Sequence, residues 1–237
     1  MFFISPPMFL SVVIPAYNEA VIIERTIDTI VAYFAKKNFE FEVIVVDDGS
    51  TDETAARAHE ASQRIPNVRV IRLSKNQGKG GAVKAGALAS RGEWMLFLDA
   101  DLSTQPMEFE KFVPYLATHD IVIGSRCLPG SVITVHQPWS REILGRLLNK
   151  LFRVVSHVPF ADTQCGFKLF HQRTKSLFQE QVLTRWLFEV EVLYMAIKQN
   201  FRIQEIPISW AHDRHSSVKL SDGLRILYDL WTIRRIH

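Results

Sequence analysis

Leu96-Phe97-Leu98-Asp99-Ala100-Asp101 is an apolar run that stops at two carboxylates with one residue between them. A run of this kind reads as a buried strand. Open α/β sheets bind ligands at the carboxyl ends of their strands, and two hard oxygen ligands placed there suit Mg²⁺ or Mn²⁺ held against a diphosphate. For an isolated Asp-x-Asp a solvated acidic turn is the competing reading, so the neighbouring sequence decides.

Two earlier runs end in the same manner. Val12-Val13-Ile14 leads into Pro15-Ala16-Tyr17-Asn18-Glu19, and Val43-Ile44-Val45-Val46 leads into Asp47-Asp48-Gly49-Ser50-Thr51-Asp52. Each predicts a buried strand closing in polar or turn residues, so three strand ends can line one cleft. Ile23, Ile27, Ile30, Val31 and Phe34 follow at helical spacing, and Ser50 with Glu53 forms a possible capping box for a second helix. The alternation predicts further strands near Val68–Leu73, Trp94–Leu98 and Ile121–Gly124, and helices near Gly80–Ala89 and Pro106–Leu116.

Beyond residue 125 the pattern changes. Arg126 to Pro138, with Pro129-Gly130 inside it, reads as a long loop. From Ser140 to Val155, Ile143, Leu144, Leu147, Leu148, Leu151, Phe152 and Val155 make a broad apolar stripe, while Arg141, Arg146, Lys150 and Arg153 outnumber Glu142. Such a helix either faces the core with a solvated basic side or lies on a membrane surface. Strands near Gly166–Phe170 and Ile203–Ile208, and helices near Phe188–Gln199 and Leu220–Ile236, complete the expectation.

Composition narrows the class. A chain of 237 residues with 47% hydrophobic content can bury one large core, so one domain over 1–237 is the simplest organisation. A net charge of +3, without aromatic residues interleaved among basic clusters, argues against nucleic acid. No run reaches the ~18 apolar residues of a membrane span, and Met1 to Leu10 lacks the basic start of a signal peptide. Cys127 and Cys165 have no metal-type spacing and fit a reducing compartment better than a disulfide framework. Gly78-Lys79-Gly80-Gly81 lacks the P-loop spacing, and no Gly-x-Gly-x-x-Gly follows the first strand, so neither an ATPase nor a dinucleotide dehydrogenase is supported.

Taken in order and spacing, Val13 to Glu19, Val45 to Asp52, Asn76-Gln77-Gly78-Lys79-Gly80-Gly81-Ala82 and the Asp99-Ala100-Asp101 pair resemble the inverting family 2 glycosyltransferases with the GT-A fold. Asp162-Thr163-Gln164-Cys165-Gly166-Phe167-Lys168-Leu169-Phe170 and Arg185-Trp186-Leu187-Phe188-Glu189-Val190-Glu191 look like the branch that charges polyprenyl phosphates, particularly dolichyl-phosphate glucosyltransferases. The resemblance runs from about Leu10 to about Leu220. It implies a single α/β GT-A domain, a Rossmann-like mixed, mostly parallel sheet flanked by helices. The nucleotide-binding half would span about 8–125 and the acceptor half about 126–237.

Roles follow from the resemblance residue by residue. Asp99 and Asp101 become ligands of Mg²⁺ or Mn²⁺, with Ser103 standing where the mannosyl relatives often carry Gln. Pro15, Ala16, Tyr17, Glu19, Asp47, Asp48, Gly78, Lys79 and Ala100 join them in holding the nucleotide sugar, Asp48 reading the base imide. Glycines without Cβ would let the Gly78 helix terminus come close to that ligand. On the acceptor side stand Arg126, Asp162 and Gln164, followed by Arg214, Ser217 and Lys219, where Val218 interrupts the family's Ser-Lys pair. Arg126 and Gln164 are expected to act in catalysis. A hydroxyl acceptor would need a base, for which Asp162 is a candidate, whereas a polyprenyl phosphate is already anionic. His212 and His215 are candidate additional metal ligands.

The implied reaction is inverting transfer of glucose from UDP-glucose to a dolichyl-type polyprenyl phosphate, by an enzyme peripheral on the cytoplasmic face of a membrane and touching it through 140–155. GDP-mannose as donor or a glycan as acceptor are the alternatives within the family. A sugar-nucleotide-binding scaffold without turnover is the alternative outside enzymes.

Overall fold

Strands buried on both faces occupy the centre of the molecule. The computed structural model describes residues 9–135, 158–211 and 223–237. Among these, one sheet contains β1 (Leu10–Ala16), β2 (Phe41–Asp47), β3 (Val68–Arg72), β4 (Trp94–Leu98), β5 (Ile121–Ser125), β7 (Phe167–His171) and β8 (Ile203–Pro207). Their order is β3-β2-β1-β4-β7-β5-β8. The strands β3, β2, β1 and β4 are mutually parallel, and β5 is parallel to β8. Only β7 runs against both of its neighbours.

Alternate residues of each central strand feed two cores. Val12, Ile14, Val43, Val45, Leu96 and Leu98 face one, where α1 (Ile23–Phe34) and α2 (Thr54–Arg64) lie. Val13, Ile44, Val46, Met95 and Phe97 face the other, covered by α3 (Lys79–Ala89), α4 (Lys175–Glu180), α5 (Phe188–Lys198) and α6 (Gly223–Ile236). Coverage on both sides explains why these strands read as continuous apolar runs rather than alternating ones. On α1, Ile23, Ile27, Ile30 and Phe34 are fully buried, each contributing about 1.5–3 kcal/mol by leaving water. No helix among the described residues is long and apolar enough to cross a membrane.

Three local expectations are corrected. Residues 106–116 form two 3₁₀ turns, Pro106–Lys111 and Val113–Tyr115, instead of an α-helix. Pro114 supplies no N–H and its ring would collide with the carbonyl four residues earlier. The Ser50–Glu53 capping box does not form; α2 starts at Thr54, whose N–H donates to Asp52 Oδ1 at 2.9 Å. Ser50 Oγ is spent on accepting the Asn18 N–H at 3.0 Å. The expected loop after Arg126 contains β6 (Val132–Val135), paired in parallel with β9 (Ser209–Ala211) as a two-stranded ribbon. The expected basic helix over 140–155, together with Arg214, Ser217, Lys219, His212 and His215, lies outside the described residues.

Strand order decides where ligands can gather. Connections leave β1 towards β2 on one side, while β4 pairs with it on the other, so a topological switch point opens at the carboxyl ends of β1 and β4. Because β7 is antiparallel, its beginning lies at that same end: Leu98 pairs with Phe167.

Candidate active site

The first strand ends are stitched into one unit. Asn18, at φ 57°, turns the chain after β1, a backbone form that Asn tolerates better than most residues. Its side-chain oxygen accepts the Thr51 N–H at 2.9 Å, and the Glu19 N–H donates to Thr54 Oγ1 at 2.7 Å. The Asp48 N–H donates to the Ala16 carbonyl at 2.8 Å. Pro15, Ala16, Tyr17 and Glu19 therefore stand beside the β2 turn, with the Tyr17 ring exposed.

The two aspartates of that turn have different surroundings. Asp47 is fully buried; its Oδ1 accepts the Ser50 N–H at 3.1 Å and its Oδ2 lies 3.3 Å from Arg72 Nε. That geometry makes it a turn-forming residue. Asp48 Oδ1 accepts the Gln77 N–H at 2.7 Å and Oδ2 the Gly78 N–H at 2.8 Å. Burial raises its pKa, the nearby Asp47 adds to this, and the two N–H donors and Arg185 pull against it. Each Asp48 oxygen keeps a second lone pair, so the residue anchors the Gly78 turn and still has acceptor capacity.

The glycines of that turn serve packing inside the protein. A Cβ on Gly78 would lie 2.6 Å from the Thr184 carbonyl, and one on Gly80 2.7 Å from Phe188 Cβ. The start of α3 is thereby pressed onto residues 184–188, and the Gly81 N–H donates to the Thr184 carbonyl at 3.0 Å.

From the start of α3, Lys79 reaches across to the Asp-x-Asp turn. Its Nζ lies 2.8 Å from Asp99 Oδ1 and 3.3 Å from Glu189 Oε1, over the Phe97 ring. Glu189, on α5 and almost fully buried, also pairs with buried Lys168 of β7. Burial alone would lower the Lys79 pKa; the Asp99 and Glu189 carboxylates overcome that and raise it, so the ammonium is charged. Glu189 and Lys168 were not anticipated as site residues. Their signal was a charge inside an apolar run, Phe188-Glu189-Val190 and Phe167-Lys168-Leu169, which is costly without a partner.

Asp99 and Asp101 keep about a third or less of their surface in water at the end of β4. The Ser103 N–H donates to Asp101 Oδ1 at 2.8 Å, and Ala100, buried between the pair, accepts from Thr26 Oγ1 at 2.6 Å. Burial, then the charge of Asp99, raises the Asp101 pKa. Among the described residues no cluster of three His, Cys, Asp or Glu side chains forms a complete metal cage. Two carboxylates with open lone pairs nonetheless fit Mg²⁺ or Mn²⁺, which keep several waters and share substrate phosphates rather than needing an all-protein shell.

Gly166 sets the seat of Asp99. A Cβ there would fall 1.8 Å from Asp99 Oδ2, and the Asp99 N–H donates to the Gly166 carbonyl at 3.2 Å. Gly166→Ala should therefore push the Asp99 carboxylate aside while leaving the fold intact, since only a side-chain end must move. The check is Mn²⁺-dependent UDP binding beside a thermal unfolding curve: binding should fall about tenfold or more with little change in unfolding, a loss comparable to removing one charged contact. Unchanged binding would show that the position of Asp99 is immaterial.

Across the turn, Arg126 and Asp162 form a bidentate pair, Nε to Oδ2 at 2.6 Å and Nη2 to Oδ1 at 2.9 Å. The Asp162 carboxylate also accepts the N–H groups of Arg126 and Gln164, while Glu205 accepts those of Ala161 and Asp162. Burial would raise the Asp162 pKa, but the Arg126 guanidinium brings it down to about 2. Arg126 lies over the Trp210 ring of β9, and the Ala211 N–H donates to the Ser103 carbonyl at 2.8 Å. Glu205 and Trp210 are thus further supports that no local pattern announced. Gln164 Nε2 is buried with no hydrogen-bond partner among the described residues. Cys165 beside it is buried, which pushes its thiol up to about 12, so it is an inert core group.

With this geometry in view, the comparisons are specific. The sequence profile of the family described as "Glycosyl transferase family 2" matches residues 11–175. The dolichyl-phosphate beta-glucosyltransferase ALG5D of Trichomonas vaginalis is 33% identical over 255 residues, spanning 98% of this chain and 78% of that protein. The human dolichyl-phosphate beta-glucosyltransferase is 37% identical over 246 residues, spanning 97% and 76%. Among solved structures, Mycobacterium tuberculosis glucosyl-3-phosphoglycerate synthase with Mn²⁺, UDP-glucose and phosphoglyceric acid superposes with a TM-score of 0.67 at 19% identity, covering 95% of this chain and 79% of that one. Mannosyl-3-phosphoglycerate synthase from Rubrobacter xylanophilus gives 0.70 at 19% identity, covering 97% and 74%. These two likenesses concern the fold.

Proposed function

Because the chain belongs to glycosyl transferase family 2, we propose that it transfers glucose from UDP-glucose to a dolichyl-type polyprenyl phosphate with inversion at the anomeric carbon. The observation that carries this reading is the unbroken contact path Ala16–Asp48–Gly78–Lys79–Asp99 at the switch point of the sheet. Such a path supports a reading in which the base, ribose and diphosphate of one nucleotide sugar are met along one edge. Identity of 33% and 37% to dolichyl-phosphate beta-glucosyltransferases supports the choice of donor and acceptor.

Donor binding falls to about 8–125 and acceptor binding to about 126–237 in this reading. Asp99 and Asp101 hold Mg²⁺ or Mn²⁺. When bound, the cation supplies charge neutralisation for the leaving diphosphate. Tyr17 lies against the nucleoside, Asp48 offers its remaining lone pairs to the base imide, and Lys79 faces the diphosphate. An oxygen of the acceptor phosphate attacks the sugar's anomeric carbon from the face opposite the diphosphate. The bond from that carbon to the UDP oxygen breaks, and UDP departs with the electron pair.

A phosphate acceptor also suits Asp162. Locked to Arg126 with its pKa near 2, that carboxylate is a poor proton acceptor at neutral pH. A phosphate monoester already carries about −1.5 to −2 charges there and needs screening instead. Arg126 and the buried donor of Gln164 are the groups assigned to that task, with Arg214, Ser217 and Lys219 assigned as further phosphate contacts. A lipid acceptor calls for peripheral contact with a membrane, and the apolar and basic residues of 140–155 are the stretch we assign to it. We assign that contact to the cytoplasmic face, in keeping with two cysteines, Cys127 and Cys165, whose spacing suits a reducing compartment better than a disulfide framework.

The test is transfer of labelled hexose to a short-chain polyprenyl phosphate with Mn²⁺, comparing UDP-glucose with GDP-mannose. The expected outcome is a β-linked lipid product from UDP-glucose that disappears on chelation with EDTA. Faster product formation from GDP-mannose would move the assignment to a mannosyl donor. Donor binding without any product would favour the silent scaffold.

A further inference from the structure

Asp99, Lys79, Glu189 and Lys168 form a chain of alternating charge, each carboxylate touching an ammonium. Lys79 stands in the middle of the cleft side of this chain. It shares the Asp99 carboxylate that a divalent cation would need, and Glu189 holds it from the other side at 3.3 Å. A dication and an ammonium drawn to one carboxylate repel each other strongly when water is partly excluded. Glu189 itself is anchored: its other oxygen pairs with Lys168, which also donates to the Cys165 carbonyl. Phe188, next to it, is wedged against Gly80 and stacks edge-on with Phe97, at 6.0 Å between rings.

We propose that Lys79 is an internal competitor for the metal seat on Asp99, and that Glu189 is the positioning residue that draws it off. On this account metal and nucleoside diphosphate bind as a coupled pair. The diphosphate gives the Lys79 ammonium a second anionic partner, Lys79 leaves Asp99 for it, and Asp99 becomes available to the cation. Glu189 keeps Lys79 within reach of both positions. The idea rests on the metal role proposed for Asp99 and Asp101, and it assigns Glu189 a task the donor contacts alone do not require.

Mn²⁺ affinity measured by electron paramagnetic resonance, without nucleotide and then with UDP, gives the test independently of turnover. Lys79→Met should bind Mn²⁺ alone about tenfold more tightly than the unmodified protein, and the tightening of Mn²⁺ by UDP should shrink, within the 5–150-fold range usual for coupled sites. Glu189→Gln should shift Mn²⁺ affinity the other way, because Lys79 then leans on Asp99 alone. In the double variant the Glu189→Gln effect should fall to less than half its size, since the residue it acts through is gone. General loss of charge would instead give the same factor in both backgrounds, and that result overturns the proposal. Weaker Mn²⁺ binding by Lys79→Met overturns it as well. Lys79→Met alone decides the sign, so a Glu189→Gln protein that folds poorly does not remove the test. Failure of the unmodified protein to bind Mn²⁺ even with UDP would reject the metal role itself.

Discussion

Asp101→Asn is expected to lower metal-dependent turnover by about 10²–10³-fold, the loss typical when one preorganised electrostatic group at a developing charge is removed. The amide keeps the shape of the side chain and its Oδ1 can still accept the Ser103 N–H, so the turn after β4 should survive. What disappears is the negative charge that a divalent cation needs. Burial and the neighbouring Asp99 already disfavour the Asp101 anion, so the folded protein gains little stability from that charge and unfolding should be nearly unchanged. Steady-state transfer assays across a Mn²⁺ series, beside a thermal melt, make the comparison. An Asn variant that turns over normally at limiting Mn²⁺ would remove Asp101 from the metal site. Asp99→Asn should act in the same direction while also releasing Lys79 from one of its two partners.

The largest stability effect is expected on the opposite wall. Asp162→Ala strands the Arg126 guanidinium and leaves the N–H groups of Arg126 and Gln164 without their acceptor. Breaking a buried pair by removing one partner costs about 3–5 kcal/mol. The lower end applies, because the Arg126 side chain keeps 26% of its surface in water whereas that of Asp162 keeps 2%. Urea unfolding should show this as a lower midpoint with a similar slope. The folded-state pKa of Asp162 is depressed from 3.8 to about 2, so the unfolded chain binds the proton more readily. The pair's contribution, on the order of 2 kcal/mol from the shift, is therefore complete above the unfolded value and is lost as pH falls towards 2. The gap between the two proteins should narrow over that window. A gap that widened with acidification would contradict the pairing.

Much of the amino-terminal half is readable from local pattern. Val12-Val13-Ile14, Val43-Ile44-Val45-Val46 and Leu96-Phe97-Leu98 announce themselves because a strand covered on both faces has no polar side to show. The stops at Pro15, Asp47 and Asp99 fall within one residue of the ends of β1, β2 and β4. Those stops and the intervening helices determine an α/β alternation without any knowledge of distant contacts. The basic fault lines lie elsewhere: Pro114 overrode a helical pattern, and Ser50 was claimed by Asn18 instead of by its own helix.

Only the folded molecule decides what surrounds the carboxylates. Insertion of β7 antiparallel between β4 and β5 carries Asp162 to Gly166 to the end of β4, where the Gly166 carbonyl meets the Asp99 N–H. Lys79 and Glu189 are 110 positions apart in the chain yet share a contact at 3.3 Å. The glycines near Lys79 turn out to make room for residues 184–188, which a count of flexible residues could not distinguish from room for a ligand. Burial periodicity is a local property of the chain, so strands and helices can be read from it. Ion pairing and backbone clearance depend on which segments meet, and no periodicity encodes a meeting across a hundred residues.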